Sequence, residues 1–365
     1  MKSGKYLRML GLPLLFGSHR TKEILHVNPT IIPFREEANE VSVFIYDYNG
    51  ESLTEHHSGS VEDCLDFKTS NHISWINIDG LRKSDVEKVS NHYGIHPLLM
   101  EDILSINQRP KMDEVEGVLF CLLNMLYFND LKKTVEAEQV SIVLGNDFVI
   151  SFQEDSRRDV FDPVRTKLKL PKSIVRQRSA DYLLYAMLDV IVDNYFVVME
   201  KVSEQIEILE EEVIRRSNTR SLARINQLRK ELIILKRNIT PVRDLVNAII
   251  RSESDLLEER TTKYFKDVYD HIVQAYDLCE NYRDVIMSMQ DLYINNVNLK
   301  MNEVMKVMAI VTCVLAPATV IGGIFGMNFD VIPYAHHKWG FYFAVGAMFF
   351  IPLWMLWIFK KRGWF

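Results

Sequence analysis

The residues best suited to chemistry in this chain form a polar row in its C-terminal third. Its members follow one another at alternating steps of four and three residues: Asp291, Asn295, Asn298, Asn302, Met305, Ala309, Thr312, Ala316 and Thr319. This spacing is typical of a coiled-coil seam, but a soluble seam would carry leucine and isoleucine. Acid, amide and hydroxyl groups are expected instead where several copies of a helix border a shared, water-filled axis. The row therefore predicts a pore.

Close packing between small residues is the ordinary explanation for such a stripe, and it accounts for Ala309 and Ala316. It does not account for three successive asparagine positions that lead toward a membrane. Met305 and Met308 would normally fill a core, but on an axial seam a ring of thioethers can close by dewetting. The sequence therefore predicts a hydrophobic gate at these methionines, and a homo-oligomer, because two spans per chain cannot enclose a hydrated path.

The elements that position this row are two uncharged runs of 21 residues each, 307–327 and 339–359. A helix needs about 20 apolar residues to cross a bilayer, so the runs predict a membrane hairpin with an external loop at 328–338. Gly326, Met327 and Asn328 stand where the first span must end. Positive residues mark the cytoplasmic side, so both termini are predicted there. These residues are Lys300, Lys306, Lys360, Lys361 and Arg362.

Composition describes the rest of the chain as ordinary soluble protein. Of 365 residues, 25% are charged, and the net charge of −6 argues against a nucleic-acid partner. The four cysteines form no Cys-x-x-Cys pair, which favours neither a disulfide framework nor a zinc site. No nucleophile constellation or phosphate loop indicates an enzyme. The basic and apolar stretch at 1–17 is interrupted by Pro13 and precedes no cleavage site, so it predicts a cytosolic leader rather than a signal peptide.

The predicted fold is an α+β membrane protein. Strands are expected at 41–48 and 72–78 and in a hairpin at 140–152, with a helix that begins at Pro97. Amphipathic helices are expected at 179–216 and 222–251, and from residue 256 the helical pattern runs unbroken into the first span. The predicted divisions are a leader (1–39), a cytosolic α/β domain (40–255), a stalk helix (256–306), the first span (307–327), the loop (328–338), the second span (339–359) and a basic tail (360–365).

The chain resembles the CorA-type magnesium channels, in which a Gly-Met-Asn tripeptide ends the first of two C-terminal spans. The resemblance covers residues 40–365. Besides the tripeptide it rests on segments in family order: Trp75-Ile-Asn-Ile, His96-Pro-Leu-Leu-Met-Glu-Asp-Ile-Leu, Gln108-Arg-Pro-Lys, Ala180-Asp-Tyr-Leu-Leu-Tyr, Phe265-Lys-Asp-Val-Tyr-Asp-His and Asn302-Glu-Val-Met-Lys-Val. The position of the tripeptide and these accompanying segments make the motif specific.

This resemblance implies a homopentameric channel in the plasma or inner membrane that admits Mg²⁺, with Co²⁺ and Ni²⁺ left open. Asn328 would form an amide ring at the outer mouth that accepts hydrogen bonds from the waters of hydrated Mg²⁺. Gly326 would let the helix end, Met327 would pack behind the ring, and Asp330 would concentrate cations. The resemblance also implies a conduction path lined by Asn302, Met305, Thr312 and Thr319, with Asp291 at its cytosolic end.

The resemblance further implies that cytosolic Mg²⁺ regulates the channel by binding between neighbouring subunits. Asp102 and Asp267 would form the primary bridge, and Glu101 and Asp189 a secondary one. Bound metal would neutralise facing acids, and its loss would let them repel and loosen the stalks. Without the resemblance these four acids would be interpreted as ordinary charges on helix surfaces.

Two departures from the family pattern leave alternatives open. Phe325 stands where tyrosine is usual, and the loop lacks the Met-Pro-Glu-Leu string of close relatives. A zinc or other transition-metal transporter of the same architecture is the first alternative, with His336 and His337 as its possible loop ligands, although Met327 favours magnesium. A membrane-anchored coiled-coil scaffold is the second alternative, and the asparagine row speaks against it.

Overall fold

The computed structural model describes most of the chain from residue 37 onward. The described ranges are 37–69, 72–106, 108–155, 158–215, 217–327, 332–333 and 337–364. Contacts divide the chain into two compact units. The first runs to Glu212 and resumes from Asn218 to Met289, and the second comprises Val213–Ser217 and Gln290–Phe365.

The first unit contains a mixed sheet with the strand order β2-β1-β3-β7-β6-β5-β4. Its strands are β1 Ser42–Tyr48, β2 Leu53–Ser58, β3 Ile73–Asp79, β4 Lys111–Val115, β5 Val118–Asn129, β6 Thr134–Leu144 and β7 Phe148–Gln153. Neighbouring strands are antiparallel except β3 and β7, which run parallel. A parallel pair needs a long crossover, and here the chain between β3 and β7 supplies two helices and three further strands.

The core of this unit follows the two-residue period of the strands. Alternate residues such as Ile76 and Ile78 of β3, or Ile150 and Phe152 of β7, belong to one buried cluster. That cluster packs against helix α1 (Lys83–Tyr93) and helix α2 (Pro97–Leu104). Pro97 occupies the first turn of α2, where its missing amide hydrogen costs nothing, as the sequence predicted.

The later helices are long and follow the predicted order. After the short α3 (Asp162–Lys169) and α4 (Ile174–Gln177) come α5 (Ala180–Arg215), α6 (Thr219–Arg251), α7 (Glu259–Phe325) and α8 (Gly340–Lys361). Asn218 caps α6 by accepting hydrogen bonds from the backbone amides of Arg220 and Ser221. The predicted starts and ends of the long helices lie within about three residues of those observed.

Three of these helices are long and apolar enough to cross a membrane: Ala180–Arg215, Glu259–Phe325 and Gly340–Lys361. They differ in burial within the protein. In the most apolar window of α5, 67% of residues are buried, against 6% in α7 and 0% in α8. The α5 window is therefore covered by protein, and the apolar surfaces left open are those of the two predicted spans.

Strands β2, β4 and β5 were not identified from the sequence. β2 is an edge strand with a polar sequence and four exposed positions, so it has little apolar alternation. β5 is apolar along most of its 12 residues and buried on both faces, a pattern that does not separate a strand from a helix. Tertiary pairing decided both assignments.

Candidate functional site: a polar helix face and an acidic cluster

The predicted seam lies on an exposed face of α7 in the second unit. All nine members are exposed in the single chain, and Met305 and Met308 expose 60% and 65% of their surface. A different face of the same helix is half-buried, at positions that recur every three or four residues: Lys306, Ile310, Val314, Pro317 and Ile321. Thus the polar row and the covered face occupy different sides of one helix.

Helix α8 covers part of that second face. Pro317 and Ile321 of α7 line an apolar cavity of about 460 Å³ together with Ile351 and Met355 of α8. A Cβ atom added to Gly322 would lie 3.7 Å from the terminal methyl of Met348. The second span therefore packs beside the first. Ala316 of the row borders the same cavity, and the polar members of the row stay open to further copies or to water.

The two threonines of the row have defined hydrogen bonds. The Thr312 hydroxyl donates to the carbonyl of Met308 at 2.9 Å, and the Thr319 hydroxyl donates to that of Leu315 at 3.1 Å. Such bonds to the fourth preceding residue are usual for threonine in apolar helices. Because its hydrogen is used within the helix, each hydroxyl presents only acceptor lone pairs to a neighbour.

Helix α7 ends at Phe325, next to the Gly-Met-Asn tripeptide. The amide of Gly326 donates to the carbonyl of Gly322 at 3.0 Å, and an added Cβ would come equally close to that oxygen. A side chain at this position would thus strain the last turn. Asn328 and Asp330, predicted at the outer mouth, and His336 lie outside the described residues.

Asn296 lies beside the predicted row but has a different environment. Its amide donates to the carbonyl of Val213 at 3.1 Å and to the hydroxyl of Ser217 at 3.0 Å. Lys300 donates to the carbonyl of Ser217 at 3.0 Å. These bonds attach the connection between α5 and α6 to α7 within the second unit. The sequence did not predict this role. Neighbouring asparagines on one helix look alike in the sequence, and only the folded structure shows which of them contacts another segment.

A second candidate site lies in the first unit, where α5 and α7 bring ligand atoms together. Asp189, Asp193 and His271 each offer one atom, and these atoms all lie within 4.8 Å of one another. Two ligands on opposite sides of an octahedral Mg²⁺ ion are separated by about 4.2 Å. Carboxylates suit Mg²⁺, and an added imidazole suits Co²⁺, Ni²⁺ or Zn²⁺. These three residues are therefore a candidate set of ligands for a divalent cation.

Burial and neighbouring carboxylates outweigh the positive groups Lys167 and His271 in setting the pKa of Asp189 at this cluster. Burial raises the pKa of Asp189, and the nearby Asp193 carboxylate raises it further. Asp267, predicted as a metal ligand, also acts on Asp189 in this direction from an exposed position on α7. The structure thus brings Asp189 and Asp267 into one acidic neighbourhood, and a divalent cation would relieve the repulsion there.

The other two predicted ligands lie on α2. Glu101 is exposed, whereas the Asp102 carboxylate contacts the Lys111 ammonium at 2.7 Å. The same ammonium lies 2.8 Å from the Asp113 carboxylate. Burial lowers the pKa of Lys111, but these two hydrogen bonds outweigh burial and leave the pKa raised. Within one chain, Asp102 is therefore paired with a lysine.

Sequence reasoning missed three residues of this region: Asp193, His271 and Lys111. A signal for the first two was present, because Asp193 follows Asp189, and His271 follows Asp267, by four residues each. Residues four apart share a face of a helix. Lys111 ends the Gln108-Arg-Pro-Lys segment, but nothing in the local sequence pairs it with Asp102, since α2 and β4 meet only in the folded domain.

The fold and these sites define a class of protein: a mixed α/β domain and long helices joined to two C-terminal spans, the first of which has a polar exposed face. Residues 70–361 match the model of the family described as "CorA-like Mg2+ transporter protein". The chain belongs to this family. The members are transporters, so the predicted class is confirmed.

Individual relatives agree with this assignment. The chain is 38% identical over 336 residues to the cobalt/magnesium transport protein CorA of Thermotoga maritima, covering 92% of this chain and 95% of that protein. It is 24% identical over 290 residues to the protein of the same name from Methanocaldococcus jannaschii, covering 80% and 90%. The complete structure of the Methanocaldococcus jannaschii CorA magnesium transporter superposes with a TM-score of 0.75 at 23% identity, covering 88% of this chain and 98% of that one. The last comparison supports the fold.

Proposed function

We propose that this chain forms a homopentameric channel that lets hydrated Mg²⁺ enter the cell through a pore lined by the polar row of α7. The observation that carries this proposal is that every polar member of the row is exposed in the single chain, while α8 lies beside Ala316, Pro317 and Ile321 of the same helix. Five copies would place these rows around one axis. The basic residues that flank the spans support cytoplasmic termini and a plasma or inner membrane location.

The chemistry of the row suits an ion that keeps its water. Mg²⁺ dehydrates reluctantly, so the lining has to accept hydrogen bonds from bound water rather than replace it. Thr312 and Thr319 meet this requirement, because their hydroxyl hydrogens are used within the helix. Asn302, and Asn328 at the outer mouth, would add amide oxygens, and Asp291 would attract cations at the cytosolic end. Asp330 would do so outside.

Met305 and Met308 form the gate in this proposal. Both are exposed and stand between the amide part and the hydroxyl part of the row. Rings of thioethers would repel water when the helices approach and would admit it when they separate. In the open state the α7 helices would therefore stand further apart at these methionines.

The replacement of Asn328 by alanine tests the pore. Asn328→Ala protein, reconstituted in liposomes, is expected to assemble but to lose Mg²⁺ uptake, because the mouth loses its acceptor oxygens. His337→Ala, also in the loop, is the matched control and should transport normally. Normal uptake by Asn328→Ala, with pentamers intact by size-exclusion chromatography, would exclude the amide ring.

We further propose that cytosolic Mg²⁺ closes the channel by bridging neighbouring subunits. One side of each bridge would come from Glu101 and Asp102 on α2, and the other from Asp189 and Asp267 on α5 and α7. The grouping of the second pair in one acidic neighbourhood supports this arrangement. Loss of metal would leave facing carboxylates unneutralised, and their repulsion would loosen the subunits.

The replacement of Asp267 by alanine tests the regulation. Asp267→Ala should transport Mg²⁺ but need more internal Mg²⁺ for inhibition, because one ligand is gone. Asp270→Ala removes another exposed acid of the same helix and serves as control. Equal inhibition of Asp267→Ala and Asp270→Ala would remove Asp267 from the sensor.

A transition metal is the second candidate for the regulatory ion, because His271 lies with Asp189 and Asp193. Imidazole binds Co²⁺, Ni²⁺ or Zn²⁺ better than Mg²⁺. His271→Ala is therefore expected to weaken inhibition by internal Co²⁺ more than inhibition by internal Mg²⁺. An equal effect on both ions would show that His271 gives the site no preference for a transition metal.

A further inference from the structure

The C-terminal end of α8 carries a concentrated positive charge. Lys360, Lys361 and Arg362 are consecutive and exposed. Within the described part of the chain, no carboxylate forms an ion pair with any of them.

The chain after them is folded back by a specific helix cap. Gly363 has a φ of +69°, and its amide donates to the carbonyl of Lys360 at 3.1 Å. The amide of Trp364 donates to the carbonyl of Phe359 at 3.0 Å. This pair of bonds is the Schellman motif, in which a glycine adopts the left-handed conformation. The end of α8 is therefore a defined structure rather than a frayed tail.

The cap brings aromatic rings next to the cations. The Trp364 indole stacks on Phe359 with ring centroids 5.1 Å apart and planes inclined by 7°. The Lys361 ammonium lies 5.4 Å from the centre of the Trp357 ring. Tryptophan is favoured at the depth of lipid headgroups, because its ring is apolar with one polar edge. Indoles and cations together indicate the level of the headgroups.

Helix α7 contributes a fourth cation to the same place. The Lys306 ammonium donates to the carbonyl of Gly363 at 3.5 Å. Lys306 is half-buried and, like the other three, is not paired with a carboxylate in the described residues. Both helices of one chain thus present positive charge at one level beside an apolar surface.

We propose that Lys306, Lys360, Lys361 and Arg362 form a binding site for the phosphate of an anionic phospholipid, whose acyl chains lie along α8. Ammonium and guanidinium groups are strong donors to phosphate oxygens, and basic residues next to a span are attracted to anionic lipid. This proposal depends on the proposed function in one respect, that the two spans lie in a membrane. It does not depend on which ion is transported. Lipid binding at Lys306 would couple the surrounding membrane to the pore helix.

The test measures lipid binding, so it is independent of transport. Full-length protein in a neutral detergent is titrated with phosphatidylglycerol or with phosphatidylcholine of the same acyl chains, and bound lipid is counted by native mass spectrometry. Wild type should prefer phosphatidylglycerol. Lys306→Gln should weaken its binding about fivefold, and the triple change Lys360→Gln/Lys361→Gln/Arg362→Gln about a hundredfold, since each cation near an anionic surface contributes similarly.

Control variants distinguish lipid binding at this site from nonspecific attraction between the protein and an anionic lipid. Lys338→Gln removes a cation at the other end of α8 and should leave phosphatidylglycerol binding unchanged, and phosphatidylcholine binding should be equal in all variants. Equal binding of the two lipids by wild type, or unchanged phosphatidylglycerol binding by Lys306→Gln and the triple variant, would overturn the proposal. Displacement of the lipid by inorganic phosphate at equal concentration would also overturn it, as it would indicate a simple anion site.

Discussion

Lys111 provides the sharpest test of how the proposed Mg²⁺ sensor works. Its ammonium lies 2.7 Å from Asp102 and 2.8 Å from Asp113, and any cation that binds Asp102 has to compete with it. Lys111→Gln keeps most of the side-chain length but removes the charge. Asp102 and Asp113 would then repel each other, and Mg²⁺ binding would relieve that repulsion. The variant is therefore expected to bind regulatory Mg²⁺ more tightly than wild type does.

The size of the effect follows from the exposure of the pair. The side chains of Lys111 and Asp102 are 37% and 17% exposed, so solvent screens their attraction in part. A pair of this kind contributes up to about 1 kcal/mol. Since 1.36 kcal/mol corresponds to a factor of ten, the internal Mg²⁺ concentration for half-maximal inhibition should fall about fivefold.

The assay is Mg²⁺ uptake into liposomes preloaded with a series of Mg²⁺ concentrations. Lys88→Gln is the matched control, because Lys88 also forms an exposed ion pair, with Glu62 at 2.8 Å, away from the four predicted ligands. Its inhibition curve should match that of wild type. A Lys111→Gln curve that coincides with wild type, or moves to higher Mg²⁺, would refute the idea that lysine and metal compete for Asp102.

Three further predictions concern the pore and the fold. Gly326→Ala should reduce Mg²⁺ uptake, because its Cβ would meet the Gly322 carbonyl at 3.0 Å; Gly323→Ala, whose Cβ meets nothing within 4 Å, should not. Thr312→Val should slow uptake by removing an acceptor oxygen, and Thr312→Ser should restore it. Burial raises the pKa of Asp79, so its stabilising contribution is present at low pH and is lost as pH rises through that pKa. Asp79→Asn should therefore have a higher melting temperature than wild type at neutral pH, and this increase should become smaller as the pH is lowered. An increase in melting temperature that is the same at every pH would contradict this.

Local sequence patterns were sufficient to predict the spans and the long helices, because these elements depend on the residues of one segment. A run of 21 uncharged residues predicts a span whatever surrounds it, because the bilayer thickness sets the length. Likewise the long amphipathic runs gave α5, α6 and α7 close to their observed bounds. The Gly-Met-Asn tripeptide with its accompanying segments was enough to predict the family, which the match over residues 70–361 confirmed. The pore-lining and sensor roles assigned to individual residues remain predictions.

Tertiary structure decided which residues became partners. β3 pairs in parallel with β7 although the two strands are about 70 residues apart, and nothing within either strand specifies that neighbour. Of the adjacent asparagines, Asn295 stays exposed while Asn296 binds the connection between α5 and α6. Asp189 meets Asp193 and His271, and Asp102 meets Lys111, only because separate elements pack together. Periodicity is fixed by the backbone geometry of one segment, whereas a contact depends on the whole chain. The sequence alone therefore determined the long helices and the two apolar spans, and the tertiary structure decided the remaining strands and the side-chain contacts.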